Sequence, residues 1–487
     1  MPGALPDTPS DSLVFFGATG DLARKSIFPS LYRMVKAGTL TVPVVGVAFS
    51  NWTVADLRER ARQSVSDHPD GVDDPAALET LVSLLRYVDG DYQDPATFTH
   101  LRKELGECSQ PTHYLAIPPA LFGTVVQGLA AVGLNEGARV VVEKPFGRDL
   151  GSAKSLNAAI TAAFDEHAIF RIDHFLGKEE IMNLLYFRFA NAMFEPIWNR
   201  NYIASVQVTF AESFGVRGRG SFYESAGALR DVVENHLFQI VALLTMEAPT
   251  YQGYGAVQAA KANVFNAMRP LTRDDYVRGQ FVGYRDEEGV ASDSDVETFA
   301  AVRLHIDSWR WAGVPFYLRT GKCLATSVGE VVVEFKRPPQ ALFDDAVDPH
   351  QRPNRLRFRL QPEGAIGLNV RVKRPGEEFV GHERELVLDT ESPLEREPYE
   401  RLLSDALRGD SALFTHEDSV EAAWRVVEAV LTDHAPAIPY EPGTWGPEAQ
   451  ADALIGHHGP WHDPHEADHP APVGTTAPSG HAQGGHA

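Results

Sequence analysis

Apolar runs and amphipathic stretches alternate along the first third of the chain. Short apolar runs, which predict strands, lie at residues 13–16, 44–48, 114–117 and 140–142. Amphipathic stretches, which predict helices, lie at residues 53–66, 75–85, 119–132 and 150–164. Strands that alternate with helices are typical of a parallel sheet wound on both faces. Residues 13–172 are therefore predicted to form an α/β domain with a doubly wound sheet.

The alternation stops after residue 172, and the pattern changes to one rich in strands. Strand-like runs lie at residues 205–210, 298–306, 316–319, 331–335, 356–360, 368–372 and 386–388. Helices are predicted at residues 178–194, 227–247, 399–407 and 419–431. Because few helices separate the later strands, residues 173–455 are predicted to form an α+β domain. We expect this domain to contain a large, mostly antiparallel sheet together with helices.

Both ends of the chain are predicted to lie outside these domains. Residues 1–12 are expected to be a flexible N-terminus. Residues 456–487 are rich in Pro, Gly and His and are predicted to be a disordered tail. A metal-binding role for the histidines is the alternative, but their spacing is irregular, and we predict no metal site.

Composition and charge narrow the class of protein. The chain has 487 residues, of which 44% are hydrophobic, enough for two sizeable cores. Its formal net charge of -22 argues against nucleic acid and anionic membranes as partners, but not against a small anionic substrate. The chain has no export signal and no run near the ~20 apolar residues of a membrane span. With only two cysteines, these features predict a cytoplasmic protein.

A glycine-containing turn, with the pattern G-x-x-G-x-x-A, follows the first predicted strand directly. Between a strand and a helix such a turn binds the pyrophosphate of a dinucleotide. Gly17 allows the tight turn, Gly20 lets the backbone approach the phosphates, and Ala23 lets the helix pack closely. The first domain is therefore predicted to be Rossmann-like. The cofactor-binding residues predicted at the turn are Gly17, Thr19, Gly20, Asp21 and Leu22.

Residues 171–179 bring several chemically active side chains together behind an apolar pair. Asp173 beside His174 suits general-base chemistry, in which a carboxylate orients an imidazole and stabilises it when charged. Arg171 and Lys178 suit an anionic ligand such as a phosphate. The alternative for this stretch alone is a solvated junction between a strand and a helix.

Three of these features follow the ends of predicted strands. Gly17, Lys144 and Asp173 each come directly after an apolar run. Ligands of a doubly wound sheet bind outside the carboxyl ends of its strands. We therefore expect these residues to share one crevice.

Several stretches together resemble the glucose-6-phosphate dehydrogenase family. They are residues 17–23, 143–147, 171–179, 196–200, 230–236, 314–316, 319–322 and 440–447. The resemblance extends from residue 13 to about residue 458. It implies oxidation of glucose 6-phosphate at C1 to a 6-phospho-lactone, the first step of the oxidative pentose phosphate pathway, with hydride transfer to NAD or NADP. It also implies a homodimer or homotetramer built through the large sheet.

The resemblance also implies a role for individual residues. His236 resembles the proton acceptor, and Asp173 resembles the carboxylate that orients it. A neutral imidazole near pH 7 suits this task, because hydride leaves C1 more easily as the C1 hydroxyl loses its proton. By the same resemblance His174 and Lys178 hold the phosphate, Lys144, Glu212, Asp231 and Lys322 hold the sugar hydroxyls, and Lys144 and Pro145 border the cofactor.

Three positions of the substrate site depart from the family's pattern. Phe175 stands where an aromatic hydroxyl is usual, which removes a hydrogen bond to the phosphate worth about 1.5–3 kcal/mol. Ser26 stands where a lysine is usual, and residues 325–327, which end at Ser327, lack a second cation after Lys322. These losses predict a weaker hold on the substrate, or a somewhat different phosphosugar.

A fourth departure concerns the cofactor. Members that use NADP carry an arginine just after the second strand, where this chain has Phe49. Without that arginine the 2′-phosphate loses its best partner. We therefore predict that NAD is used at least as well as NADP.

Two alternatives to the leading hypothesis stay open. The missing cations allow a dehydrogenase of another hexose 6-phosphate. A non-catalytic regulatory or scaffold homologue is the alternative from another class of protein. The presence of both Asp173 and His236 argues against it, since such homologues usually lose the base or its carboxylate.

Overall fold

The computed structural model describes residues 9–251, 254–340, 342–343, 353–376, 379–389, 396–411 and 413–464. The first sheet contains β1 (Ser12–Phe16), β2 (Val44–Ala48), β3 (Leu85–Asp89), β4 (Pro111–Leu115), β5 (Arg139–Glu143) and β6 (Ile169–Ile172). All six strands are parallel, in the order β3-β2-β1-β4-β5-β6. The strand order reverses between β1 and β4, which confirms the predicted Rossmann-like sheet.

Helices connect these strands. They are α1 (Phe28–Lys36), α2 (Val54–Asp67), α3 (Pro75–Leu84), α4 (Pro95–Leu105), α5 (Phe122–Ala131) and α6 (Leu150–Thr161). A π-helical turn, Ala23–Ile27, leads into α1. The side chains of Asp74 and Asp94 accept hydrogen bonds from the first turns of α3 and α4, and a proline follows each. This combination fixes where both helices begin.

Two elements of this domain were not predicted from the sequence. Strand β3 begins where the helix predicted at 75–85 ends, and the sequence pattern indicates neither this strand nor α4. In β3 the buried Leu85 and Val88 are separated by the exposed Arg86 and the half-buried Tyr87. As an edge strand, β3 lacks the continuous apolar run that marks the central strands of a parallel sheet.

The second sheet has nine strands. They are β7 (Ile203–Ala211), β8 (Tyr276–Phe281), β9 (Phe299–His305), β10 (Pro315–Gly321), β11 (Val328–Phe335), β12 (Arg355–Gln361), β13 (Ala365–Lys373), β14 (Gly381–Asp389) and β15 (Ile438–Tyr440). Their order is β14-β13-β12-β11-β7-β10-β9-β8-β15. Among the described strands of this second sheet, only the pairs β7–β10 and β8–β15 are parallel. The predicted large, mostly antiparallel sheet is therefore confirmed.

The helices of this domain are α7 (Glu179–Ala190), α8 (Gly220–Ala228), α9 (Phe238–Thr245), α10 (Tyr254–Ala267), α11 (Pro398–Arg408), α12 (Glu417–Val427) and α13 (Glu448–Ile455). A π-helical segment, Leu229–Leu237, joins α8 to α9. The helix predicted at 227–247 is interrupted at its start. Gly227 has φ of +65°, and a Cβ there would lie 2.5 Å from Oε1 of Glu297. Of the described helices, none is long and apolar enough to cross a membrane.

Helix α11 packs back against the first domain. Its residues Leu402 and Ala406 lie in the same buried cluster as Leu13 and Phe170 of the first sheet. Just beyond the helix, Phe414 packs edge-on against Phe170 with ring centroids 4.9 Å apart. A segment from late in the sequence therefore covers part of the first sheet.

Both predicted flexible ends make defined contacts where the structure describes them. The backbone N–H of Ser10 donates to the Leu407 carbonyl at 2.8 Å. Trp461 is buried and donates from Nε1 to the Ala451 carbonyl at 3.0 Å, and Asp463 pairs with Arg319 at 2.7 Å. Residues 10, 461 and 463 therefore contact the folded domains, and the flexible N-terminus and the disordered tail stay predictions. Residues 1–8 and 465–487 of these predicted segments lie outside the described part.

Candidate active site

The centre of the site is a buried hydrogen bond between Asp173 and His236. Asp173 follows strand β6, and His236 lies on the π-helical segment between α8 and α9. Nδ1 of His236 lies 2.8 Å from Oδ1 and 3.0 Å from Oδ2 of the carboxylate. Oδ1 of Asp173 also accepts a hydrogen bond from the backbone N–H of Phe175 at 3.0 Å. Both the orientation of the carboxylate and the position of the imidazole are therefore fixed.

Lys144 faces the other nitrogen of this imidazole. Its Nζ lies 2.9 Å from Nε2 of His236, and it also donates to Oδ1 of Asp231 at 3.3 Å and to the Asp231 carbonyl at 3.2 Å. An ammonium can only donate, so Nε2 carries the lone pair and Nδ1 carries the proton that Asp173 accepts. A neutral imidazole in this tautomer is a proton acceptor directed at the space beside Lys144.

The charges around the dyad keep its carboxylates ionised. Burial alone would raise the pKa of Asp173, but the hydrogen bond from His236 and the charge of Lys144 hold it below its usual range. Burial opposes ionisation of Asp231 in the same way, and the charges of Lys144 and Lys322 lower its pKa. Opposite charges within a few ångströms favour the charged form of each group.

Lys322 and Glu212 form an ion pair beside this cluster. Glu212 follows strand β7 and Lys322 follows its parallel neighbour β10, so the two strands deliver them to one end of the sheet. Nζ of Lys322 lies 5.2 Å from the ring centroid of Phe214 and 5.6 Å from that of Tyr223. The four residues predicted to hold the sugar hydroxyls, Lys144, Asp231, Lys322 and Glu212, thus lie next to one another.

His174 and Lys178 border the opposite side of the dyad. The His174 ring lies 5.4 Å from the His236 ring and stacks at 6.1 Å on Tyr399 of α11. Burial, together with the charges of Lys144 and Lys178, lowers the pKa of His174 well below its usual range, so its ring is neutral at pH 7. Nζ of Lys178 donates to Oε1 of Gln361 at 3.2 Å. A partly exposed lysine beside a neutral imidazole offers a charge and a hydrogen-bonding group to one phosphate.

Arg171 does not belong to this set, although the sequence suggested it for phosphate binding. Its side chain is fully buried and binds Glu166 at 2.6 Å and Oδ1 of Asn157 at 3.1 Å. Arg171 lies inside strand β6 and not beyond its end, and its guanidinium is engaged by Glu166 and Asn157. The hypothesis for Arg171 is therefore corrected: it is a structural ion-pair residue.

The departures in the substrate site have defined surroundings. Phe175 is buried, and its ring lies 4.9 Å from the His236 ring and 5.2 Å from the Phe210 ring. Ser327 accepts a hydrogen bond from the backbone N–H of Ser213 at 2.9 Å, and Ser26 lies half-buried in the π-helical turn before α1. The predicted weaker hold on the substrate remains a prediction.

The glycine turn has the geometry that a dinucleotide requires. Gly17 has φ of +81°, and a Cβ there would lie 2.2 Å from the Ala116 carbonyl oxygen, so only glycine fits. Gly20 donates to the Gly17 carbonyl at 3.0 Å, which closes the turn just before the helix. Oγ1 of Thr19 lies 2.8 Å from Oγ of Ser50 in the loop after β2. Bare backbone at the start of a helix suits a pyrophosphate.

The other predicted cofactor residues border the same crevice. Asp21 forms an exposed ion pair with Lys25 at 3.1 Å, and Leu22 is half-buried beside it. Phe49 is 67% exposed at the end of β2, and Pro145 follows Lys144 at the end of β5. The crevice therefore runs along the carboxyl ends of the parallel strands from β2 to β6, as expected. Among the described residues, no group of three potential ligands could hold a metal ion.

Some residues of the site were not found from the sequence. Tyr399 stacks on His174, and Gln361 binds Lys178 from the end of β12. Glu143 accepts a hydrogen bond from Tyr114 at 2.7 Å, and burial raises the pKa of Glu143 to about 7. Tyr399 and Gln361 lie far along the chain from the motifs they support. Glu143 could have been found, because it directly precedes Lys144.

Two more titratable side chains lie buried close to Asp173. Burial and the charge of Asp173 raise the pKa of Glu234 to about 8. Burial lowers the pKa of Lys261 to about 8, although the charge of Asp173 opposes this. Neither makes a hydrogen bond or ion pair within the described ranges. The sequence gave no signal for them, because a charged residue on a helix is normally solvated.

The fold and the crevice at the strand ends together define a class of protein, the nicotinamide-dependent oxidoreductases. Comparison with protein families identifies the family within this class. The model for the NAD-binding domain of glucose-6-phosphate dehydrogenase matches residues 14–183, and the model for the C-terminal domain matches residues 185–462. The chain therefore belongs to the glucose-6-phosphate dehydrogenase family, and its first domain binds a nicotinamide dinucleotide.

Individual relatives agree along almost the whole chain. Glucose-6-phosphate 1-dehydrogenase 1 of Mycobacterium tuberculosis is 44% identical over 456 residues, which cover 93% of this chain and 97% of the relative. The crystal structure of glucose-6-phosphate 1-dehydrogenase from Mycobacterium avium superimposes with a TM-score of 0.87 at 42% identity, covering 94% of this chain and 99% of that one. A glucose-6-phosphate dehydrogenase in complex with glucose 6-phosphate superimposes with a TM-score of 0.87 at 34% identity, covering 94% of this chain and 100% of that one. These matches confirm the predicted family, fold class and dehydrogenase activity.

The buried Glu234 predicts a pH-dependent stability. Its pKa is raised from 4.5 to about 8 in the folded protein, so between these values the unfolded chain loses a proton that the folded protein keeps. Stability from this group is complete below pH 4.5 and falls as the pH rises to 8, by up to about 1.4 kcal/mol per pH unit. Glu234→Gln should therefore stabilise the protein by about 2–3 kcal/mol near pH 7.5 and by under about 1 kcal/mol near pH 5.

Urea-induced unfolding of both proteins at the two pH values measures this difference. Glu107→Gln, which changes an exposed glutamate, is the matched control and should give no pH-dependent gain. An equal gain for Glu234→Gln at both pH values would contradict the assignment.

Proposed function

We propose that this protein oxidises glucose 6-phosphate at C1 to 6-phospho-glucono-1,5-lactone, the first reaction of the oxidative pentose phosphate pathway. The observation that carries the proposal is the buried His236–Asp173 pair, in which Nε2 of His236 is directed at Lys144, the residue that follows strand β5. The dyad lies between groups suited to a phosphate and groups suited to sugar hydroxyls. This arrangement matches a phosphosugar held at both ends.

His236 is the general base. Its Nε2 accepts the proton of the C1 hydroxyl while Nδ1–H remains hydrogen-bonded to Asp173, whose negative charge stabilises the imidazolium. A nicotinamide dinucleotide held at the glycine turn of Gly17 and Gly20 would supply the acceptor for the hydride of C1. Without substrate, Lys144 donates to Nε2 of His236. When the substrate hydroxyl replaces Lys144 at Nε2, Lys144 keeps its hydrogen bond to Asp231.

The phosphate is held by His174 and Lys178. Lys178 supplies a positive charge, and the neutral His174 can donate one hydrogen bond. Stacking on Tyr399 fixes the plane of the His174 ring. At the other end, the ion-paired Lys322 and Glu212 exchange part of their mutual interaction for the sugar hydroxyls.

A dehydrogenase of another hexose 6-phosphate is the second candidate, because of the missing cations at Ser26 and Ser327. The relative solved with glucose 6-phosphate aligns over 94% of this chain, which favours glucose 6-phosphate. A non-catalytic homologue is disfavoured, because the base, its carboxylate and Lys144 are all in hydrogen-bonding distance.

Cofactor choice is expected to favour NAD at least as much as NADP. Phe49, at the place of the usual arginine, is exposed and brings no positive charge to a 2′-phosphate. Asp56 does not hold the ribose either, since its carboxylate caps α2 through the backbone N–H of Thr53 at 2.7 Å.

A homodimer or homotetramer built through the large sheet is part of the proposal. Strand β14 is an edge strand, and Leu386 and Leu388 on it are 60% and 61% exposed. They pair in register with Leu368 and Ile366 of β13, which belong to the apolar surface of the core. Two exposed leucines beside an apolar surface are normally covered, and a second copy of the chain would cover them.

The free cysteines Cys108 and Cys323 support the proposed cytoplasmic location.

The base assignment predicts the effect of His236→Asn. Turnover with glucose 6-phosphate should fall by about 10²–10⁴-fold, because no side chain can take the C1 proton. Glucose 6-phosphate should still bind with a similar Kd in calorimetry, since the phosphate and hydroxyl partners remain. His100→Asn, a change of an exposed histidine on α4, is the control and should leave kcat unchanged. Survival of activity in His236→Asn would show that another group is the base.

The cofactor argument predicts the effect of Phe49→Arg. The ratio of kcat/KM for NADP over NAD should rise by about tenfold or more, because a guanidinium can bind the 2′-phosphate in a charge-assisted hydrogen bond. Phe49→Ala removes the ring without adding charge and should leave the ratio nearly unchanged. Steady-state kinetics with both cofactors measures the ratio. A hundredfold preference of the unmodified protein for NADP would overturn the argument.

The oligomer proposal predicts that Leu386→Glu combined with Leu388→Glu yields monomers. Charges on the covered edge would be desolvated without partners, which disfavours association. Sedimentation velocity of the variant and the unmodified protein measures the change in mass. Trp309→Glu, at an apolar side chain exposed outside β14, is the control and should leave the mass unchanged. An unmodified protein that sediments as a monomer would refute the proposal.

A further inference from the structure

The loop after strand β2 is built around a carboxylate from the neighbouring strand. Asp89 is the last residue of β3 and pairs in register with Ala48, the last residue of β2. Strand β3 is at the edge of the parallel sheet, and β2 lies between it and β1, which leads into the glycine turn. The Asp89 side chain therefore lies under the loop that begins at Phe49.

This carboxylate accepts several hydrogen bonds from the loop. Oδ1 of Asp89 accepts from the backbone N–H of Ser50 at 3.0 Å and from the hydroxyl of Tyr87 at 3.0 Å. The backbone N–H groups of Asn51 and Trp52 also face it. Burial alone would raise the pKa of Asp89, but these hydrogen bonds hold it below its usual range, so the group is charged at neutral pH.

Three successive N–H groups that converge on one point form an anion-binding concavity. Asn51, with φ of +54°, gives the loop the left-handed turn that such a concavity contains. The anion in this concavity is the carboxylate of Asp89. Ser50, whose N–H belongs to the concavity, is also tied through its hydroxyl to Thr19 in the glycine turn. The concavity is thereby fixed next to the site for the pyrophosphate.

The position matters for the cofactor. In a Rossmann-like domain the end of the second strand meets the 2′ position of the adenosine ribose. A 2′-phosphate placed there needs positive charge or free N–H groups. In this loop the Ser50 N–H already donates to Asp89, the N–H groups of Asn51 and Trp52 face the same carboxylate, and its negative charge lies behind them.

We propose that Asp89 is a specificity-determining residue, which disfavours the 2′-phosphate of NADP by filling the anion-binding concavity of residues 50–52 with its own carboxylate. Phe49 brings no positive charge to the 2′-phosphate, and Asp89 brings a negative charge that repels it. Discrimination between two ligands is strongest when both effects act together. This inference rests on the proposed binding of a nicotinamide dinucleotide in this crevice.

Asp89→Asn tests the proposal by removing the charge while keeping the size and one acceptor oxygen. Calorimetry with adenosine 2′,5′-bisphosphate and with AMP measures the 2′-phosphate contribution directly, without turnover. The affinity for the bisphosphate should rise by about fivefold or more, because a like charge is removed, and the affinity for AMP should change less than about twofold. The NADP over NAD ratio of kcat/KM should shift in the same direction.

Tyr87→Phe is the matched control, because it removes a hydrogen bond to the same carboxylate and leaves the charge. It should change neither affinity. Asp89→Ser serves as a second variant, and the thermal transition of each protein shows whether it is folded. An equal change for both ligands, or none in folded Asp89→Asn and Asp89→Ser, would overturn the role of Asp89. An unmodified protein that binds neither AMP nor NAD would instead refute the proposed dinucleotide site.

Discussion

The buried hydrogen bond between Asp173 and His236 is the interaction on which the rest of the site depends. It joins the last strand of the first sheet to a π-helical segment of the second domain. A buried carboxylate requires such partners, because an uncompensated charge away from water costs several kcal/mol. The Asp173–His236 pair therefore forms only when the two domains are correctly placed relative to each other.

Further polar and charged side chains extend outward from this pair, each in contact with the next. Asp173, His236, Lys144 and Asp231 follow one another through hydrogen bonds, and Lys322 with Glu212 extends the series. Each buried charge is compensated before any ligand binds, so the cluster is organised in advance. A sugar hydroxyl that enters exchanges one partner for another, and the protein does not expose an unpaired charge at any stage.

The sequence predicted those parts of the site that are carried by contiguous motifs at strand ends. Gly17, Lys144 and Asp173 share one sheet edge because parallel strands end together, and this follows from the alternating pattern alone. Tyr399 and Asp89 could not be predicted, since each reaches the site by packing of an element distant in sequence. Arg171 was misassigned because its partners, Glu166 and Asn157, cannot be identified as such from the sequence pattern, and these partners bury its guanidinium.

The packing of α11 on the first domain has a consequence for how the protein is made. The backbone of Ser10 binds the Leu407 carbonyl, and the Phe170 ring packs on Phe414. The cofactor domain is encoded first but is completed by residues synthesised near the end of the chain. Contacts of such long sequence separation form slowly. During synthesis, the apolar surface that α11 later covers therefore stays exposed until the ribosome has delivered that helix.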